Sequence, residues 1–132
     1  MKNILLILAI AFSSASFGQG NLQFNQVITE TGNVSQFGNG WVNSGTIMTV
    51  PAGKVWKIEN VVGNYSSTSV YKYGIVVNGT RVVVENSNGQ RTEGPIWLKA
   101  GDNLLFTFFN NYGATLNTCD YLMSIIEFNV VP

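Results

Sequence analysis

The chain has 132 residues, a formal net charge of zero, 45% hydrophobic but only 11% charged residues, one cysteine and no histidine. Lacking histidine, it lacks the commonest general base and the commonest transition-metal ligand, and with no excess of basic residues it has no field to hold phosphate backbones. Zinc or copper chemistry and nucleic-acid binding are therefore set aside, and a lone thiol cannot close an intrachain disulfide, so Cys119 reads as a small buried hydrophobe, with intermolecular pairing or a free reactive thiol as the alternatives.

The first segment with a readable pattern is Met1 to Gly18. Lys2 supplies a positive n-region, Ile4 to Phe12 an apolar h-region, and Ser16-Phe17-Gly18 small residues at −3 and −1 ahead of Gln19. This is the pattern of a secretory signal peptide, and the apolar run is about nine residues where a membrane-spanning helix needs roughly twenty. No cysteine lies near the cleavage point to take a lipid anchor. Residues 19–132 are then an exported chain of single-domain size, with six Lys or Arg (Lys2 apart) against seven Asp or Glu.

After residue 20 no window keeps a 3.6-residue apolar period, whereas several alternate with period two or carry β-branched runs between turn residues. Leu22–Thr29 reads as an N-terminal strand, with Leu22, Phe24 and Ile28 assigned to one face and Gln26 interrupting it. Glu30–Gly45 is rich in Gly, Asn and Ser and reads as a surface loop, or as a linker that makes residues 19–45 a tethered arm ahead of a core at 46–132. Thr46–Val50 and Val55–Val62 flank the turn Val50-Pro51-Ala52-Gly53-Lys54, and alternation in the second strand assigns Trp56, Ile58 and Val62 to the core. Within Tyr71–Glu85 two Val/Ile-rich strands flank Asn78-Gly79, a pair suited to the positive φ angles of a type I′ hairpin turn. Further strands are expected at Pro95–Lys99, Leu104–Asn110 and Tyr121–Val131, with Ala100-Gly101-Asp102-Asn103 as the turn feeding Leu104. About eight short strands with frequent turns predict an all-β antiparallel sandwich, jelly-roll-like. An eight-stranded membrane barrel competes less well, because its strands need roughly ten residues with a continuous lipid-facing band.

The segments Val50-Pro51-Ala52-Gly53-Lys54-Val55-Trp56-Lys57-Ile58 and Ile96-Trp97-Leu98-Lys99-Ala100-Gly101-Asp102-Asn103-Leu104 resemble turns of small bacterial and phage jelly-roll domains, in which a VPAGK turn opens a core strand and an LKAGD turn precedes another. The Ser-Phe-Gly ending before Gln19 is similar to the leaders of exported proteins of Bacteroidetes-type bacteria. The resemblance covers about a third of the chain and implies a jelly-roll fold; its motifs are turn geometry, and the domains it points to include adhesin heads, appendage subunits and sugar-binding modules.

Residues with chemical potential are scattered. Glu30, Glu59, Glu85, Glu93, Asp102, Asp120 and Glu127 stand singly, whereas glycoside hydrolysis needs two carboxylates at a defined separation. Glu59, Glu85 and Glu127 read as solvent-facing members of alternating strands or as edge charges. Asp102-Asn103 and Asn117–Asp120 could offer oxygens to calcium, yet turn formation already accounts for them. For a carbohydrate site, the aromatic candidates are Trp41, Tyr65 and Tyr112, the last beside Asn110 and Asn111.

The expectation is thus a secreted, non-enzymatic extracellular subunit without cofactor, metal or membrane span, which self-assembles as a filament, appendage or surface-layer component. Leu22, Phe24 and Ile28 form its candidate assembly strand, which pairs within its own sheet or completes a neighbour's. The alternative is a secreted carbohydrate-binding or adhesive module using Trp41, Tyr65, Asn110, Asn111 and Tyr112 on glycans.

Overall fold

Alternating apolar residues must bury one side of each strand, and in the computed structural model, which describes residues 21–65, 72–85, 95–111 and 116–131, they do so between two antiparallel sheets. In chain order the strands are β1 (Asn21–Phe37), β2 (Gly40–Asn43), β3 (Met48–Thr49), β4 (Lys54–Tyr65), β5 (Lys72–Val77), β6 (Thr80–Glu85), β7 (Ile96–Lys99), β8 (Asn103–Asn110) and β9 (Leu116–Val131). The first sheet has the order β1-β9-β4-β7; the second has β2-β8-β5-β6, with β3 also on β8. If β2 and β3 count as two pieces of one strand, eight strands form two four-stranded sheets, the chain crossing between them at every connection except the β5-β6 hairpin, in the double Greek-key order of a jelly roll. The expected leader, residues 1–18, lies outside the described residues.

Ser44 explains why β2 and β3 are one interrupted strand. Its N–H donates to Phe106 O at 2.8 Å, and its hydroxyl accepts from Phe106 N–H at 3.1 Å while donating to Thr46 O at 3.2 Å. A buried side chain thereby satisfies the β8 backbone where the ladder lapses.

The two turns that carry the jelly-roll resemblance dock on one another. Gly101 N–H donates to Val50 O at 2.9 Å and Val50 N–H donates to Asp102 O at 3.0 Å, with Val50 only 1% exposed. The expected hairpin forms with its turn at Asn78-Gly79, where φ is +49° and +80°, the left-handed pair that a type I′ turn requires.

Three expectations need correction. Glu30–Gly45 is not a loop or linker: β1 runs on to Phe37 and β2 begins at Gly40. Register with β9 up to Phe37, and with β8 from Gly40 to Asn43, holds this polar stretch in ladders that its composition would not sustain alone. Ile28 does not share a face with Leu22 and Phe24, because a register shift between Phe24 and Gln26 inserts Asn25 and reverses the alternation. Leu22, Phe24 and Val27 therefore point outward and Ile28 inward, opposite Ile125. In β4 a shift between Ile58 and Asn60 likewise turns Val62 outward (43% exposed) and Val61 inward (6%), while Trp56 and Ile58 are core as expected. The N-terminal strand pairs within its own sheet, from Asn21 opposite Val131 to Phe37 opposite Leu116.

The core centres on Phe106 from β8 and Tyr121 from β9, whose rings stack across the two sheets with centroids 4.4 Å apart and planes 9° from parallel. Tyr73 also stacks on Phe106, with centroids 6.2 Å apart. Gly32 and Gly63 are both in register with Tyr121, one on each side. A Cβ at Gly32 would lie 2.7–2.8 Å from the Tyr121 ring and hydroxyl. Gly32→Ala is accordingly expected to destabilise the fold by about 1–3 kcal/mol through overpacking, read as a lower midpoint in chemical denaturation with an unchanged slope.

Candidate functional site

In a sandwich each strand normally offers apolar residues inward and polar residues to water, so an apolar outer face is the departure to look for. The outer face of the first sheet departs in three consecutive rows. Leu22 lies opposite Val130, Phe24 opposite Phe128, and Val27 opposite Ile126 across β1 and β9. Val55 on β4, opposite Phe128, and Trp97 on β7 extend the rows across the sheet. Leu22, Phe24, Val27, Trp97 and Val130 keep 44–63% of their surface exposed. Trp97 and Phe128 rings lie 5.7 Å apart, and Lys57, ion-paired with Glu59, sits 5.9 Å above the Trp97 ring. Beside this face, β1 is an edge: among the described residues only β9 pairs with it, and its 17 residues carry one charge, Glu30, and no proline.

The outer face of the second sheet is mixed, with Trp41, Phe109, Val76 and Leu105 interleaved with Asn43 and Arg81. Trp41 on β2 packs against Phe109, its register partner on β8, at 5.3 Å, and the guanidinium of Arg81 on β6 lies 4.3 Å from the Trp41 ring centre. Sheet order puts β8 and β5 between them, so the two side chains lean together over those strands. Next to this bridge is a groove of about 310 Å³ lined by Asn43, Ile47, Val76, Asn78, Arg81 and Leu105, among others.

The sequence-derived ligand candidates do not converge. Trp41 is half-buried, with Arg81 over its ring and Phe109 beside it, so its platform is already engaged. Tyr65 faces inward, opposite Cys119, and contacts Tyr73 at 6.0 Å. Asn110 is fully buried: its Nδ2 donates to Gln36 O at 2.9 Å and its Oδ1 accepts from Asn117 Nδ2 at 2.7 Å, tying the two sheets together. Asn111 is exposed, and Tyr112 lies outside the described residues. The oxygens considered for calcium are also spoken for. Asp102 accepts from Asn78 Nδ2 at 2.8 Å and from Lys99 N–H at 2.9 Å, contacts that hold its carboxyl below the usual value. Asn117 and Asp120 sit three apart on β9, one buried inward and the other exposed, too far out of phase to share an ion. Among the described residues no three His, Cys, Asp or Glu cluster to hold a metal.

Glu127 corrects the expectation that the strand carboxylates face solvent. It is 3% exposed, on the inward side of β9. Oε2 accepts from Trp56 Nε1 at 2.8 Å; Oε1 accepts from Asn25 Nδ2 at 2.6 Å and Gln26 Nε2 at 3.0 Å, with Lys54 Nζ at 3.7 Å. Burial by itself raises a carboxyl pKa, but these donors and the lysine charge outweigh it and hold Glu127 below its ordinary value of 4.5. Asn25 is the residue that the β1 bulge inserts, so the carboxylate pins the bulge. Sequence reasoning missed this centre because its donors come from residues about 70 and 100 positions away.

Cys119 is fully buried, and burial, reinforced by the Asp120 charge, pushes its thiol up to about 12. It is a core residue with no thiolate character at neutral pH.

Comparison with protein-family models, curated proteins and solved structures finds no match to this chain.

Glu127→Gln replaces one of two acceptor oxygens, which between them face three donors, by an amide donor and is expected to cost about 1–3 kcal/mol, measured by denaturant unfolding. A carboxyl whose folded pKa is depressed stabilises the fold above its unfolded pKa and loses that contribution as pH falls through the folded value. Stability of the parent should therefore decline below about pH 4.5 more steeply than that of Glu127→Gln in parallel melts. Cys119 is expected to resist a thiol reagent in native buffer and to react fully in denaturant.

Proposed function

We propose that this chain is an exported, non-enzymatic structural subunit that associates with copies of itself outside the cell, as a filament, appendage or surface-layer component. The observation that carries this reading is the outer edge of β1, with which no strand among the described residues pairs. A long, nearly uncharged, proline-free edge strand presents a row of unpaired backbone donors and acceptors, which soluble monomers usually blunt with charge, proline or a cover. Strand addition at such an edge joins copies through main-chain hydrogen bonds, independently of a dedicated side-chain pocket. The near balance of charge supports it, since net charge is what keeps dispersed monomers apart. Because β1 is fully paired with β9, the edge that remains available is its outer one, and a neighbour adds beside β1 rather than replacing it.

A second reading, a secreted carbohydrate-binding module, draws on the groove beside Trp41, Asn43 and Arg81. In that case Trp41→Ala would abolish glycan binding and leave particle size unaltered.

The self-association reading is tested on protein expressed with its own leader and purified after export. Light scattering and negative-stain microscopy should find large ordered particles. The double variant Ser35→Lys/Phe37→Lys, which charges exposed positions at the end of β1 farthest from the apolar rows, should reduce them to small species with the melting temperature preserved. Particles of unchanged size in the variant, or a monomeric parent, would overturn edge pairing.

A further inference from the structure

We propose that the apolar outer face of the β1-β9-β4-β7 sheet is a second contact surface, on which another copy of this chain docks sheet against sheet. The inference deepens the self-association reading by adding a face contact to the edge contact.

Area is the first argument. The five most exposed side chains of the three rows, 44–63% open, present on the order of 500 Å² of apolar surface, at the upper end of what a monomer leaves contiguous. Half-buried Phe128, Ile126 and Val55 lie between them, and with the polar rim of Thr29, Ser124 and Lys99 the face approaches the roughly 800 Å² per partner of a standard interface.

Shape and symmetry argue for a copy of the same chain as the occupant. The face is built of hydrogen-bonded strands, so burying it orders little that is not already ordered. Sheets of this kind pack about 10 Å apart through interdigitated side chains, as the two sheets within the sandwich do. The two most prominent aromatics stand at opposite margins, Phe24 on edge strand β1 and Trp97 on edge strand β7. A two-fold axis running along the strands places β1 of one copy over β7 of the other, so Trp97 of each copy meets Phe24 and Val27 of its mate, a closed isologous contact. Charge opposes this little, because of the two lysines on the face Lys57 is already paired with Glu59 and Lys99 stands at the β7 margin, where its head reaches water past the edge. A membrane-docking face, by contrast, would be ringed with unpaired Lys and Arg.

The edge-charged Ser35→Lys/Phe37→Lys protein isolates the face contact, and sedimentation velocity reads it. The expected result is a dimer, which Phe24→Lys or Trp97→Lys converts to monomer by weakening association roughly thirtyfold or more. Both positions are exposed and lie on different strands, and circular dichroism melts identify any variant that has lost its fold. Three results overturn the face contact: an edge-charged protein that is monomeric, a dimer indifferent to both substitutions, and a monomer that instead floats with phosphatidylcholine vesicles in a Phe24- and Trp97-dependent way. If the edge-charged protein still forms large particles, edge pairing fails by itself, and the face contact stands or falls on whether Phe24→Lys or Trp97→Lys shrinks them.

Discussion

The stack of Tyr121 on Phe106 is the contact around which the sandwich is arranged. It is the closest pair of rings in the described residues, it joins the central strands of the two sheets, and it sets their separation. A ring as large as tyrosine can lie flat there because its neighbour on β1 is Gly32, which leaves open the space that a Cβ would take; Gly63, its neighbour on β4, makes the same allowance for Cys119 and the Tyr73 ring. The core then grows outward through Tyr73 against Phe106 and Tyr65 against Tyr73, with Cys119 and Met123 alternating inward on β9 beside Tyr121. Such aromatic pairs contribute about 0.5–1.5 kcal/mol beyond the area they bury, but their larger effect is to hold the two sheets in one relative position.

Away from that centre, buried polar groups take over the work of fixing register. Asn110 and Asn117 link β8 to β9 at one end, Ser44 replaces a missing strand residue at the side, and Glu127 gathers Trp56, Asn25 and Gln26 at the other end. Each is satisfied, as low-dielectric surroundings demand: no buried side-chain nitrogen or oxygen among the described residues lacks a partner. Glu127 has the widest reach, since it draws β1, β4 and β9 together at the level where β1 bulges.

That bulge connects packing to surface chemistry. A regular β1 would keep Leu22, Phe24, Gln26 and Ile28 on one face; the inserted Asn25 sends Ile28 into the core and brings Val27 out beside Phe24. The outer face thereby acquires three apolar rows, Leu22–Val130, Phe24–Phe128 and Val27–Ile126, continuous with Val55 and Trp97. The carboxylate network inside and the apolar surface outside are two sides of one local irregularity. On the opposite sheet Arg81 leans on Trp41 beside a groove that mixes Asn43, Asn78 and Asn103 with Ile47, Val76 and Leu105.

Sequence alone determined the fold class, most strands and the turns, because those follow from local chemistry: period-two alternation, the positive-φ pair Asn78-Gly79, and the Val50–Lys54 and Ala100–Asn103 turns. It also pointed to a buried Cys119 and core positions for Trp56 and Ile58. Tertiary structure alone decided which face Val62 and Ile28 occupy, since a bulge changes parity without a mark in composition and depends on register with a strand 60 to 100 residues away. It also decided that Glu30–Phe37 is strand, because β9 provides the ladder that a polar segment cannot provide for itself. The interior place of Glu127 belongs to the same class. A lone carboxylate in an alternating strand reads as solvent-facing until the fold brings Trp56, Asn25 and Gln26 to it, and no spacing in the chain encodes that meeting.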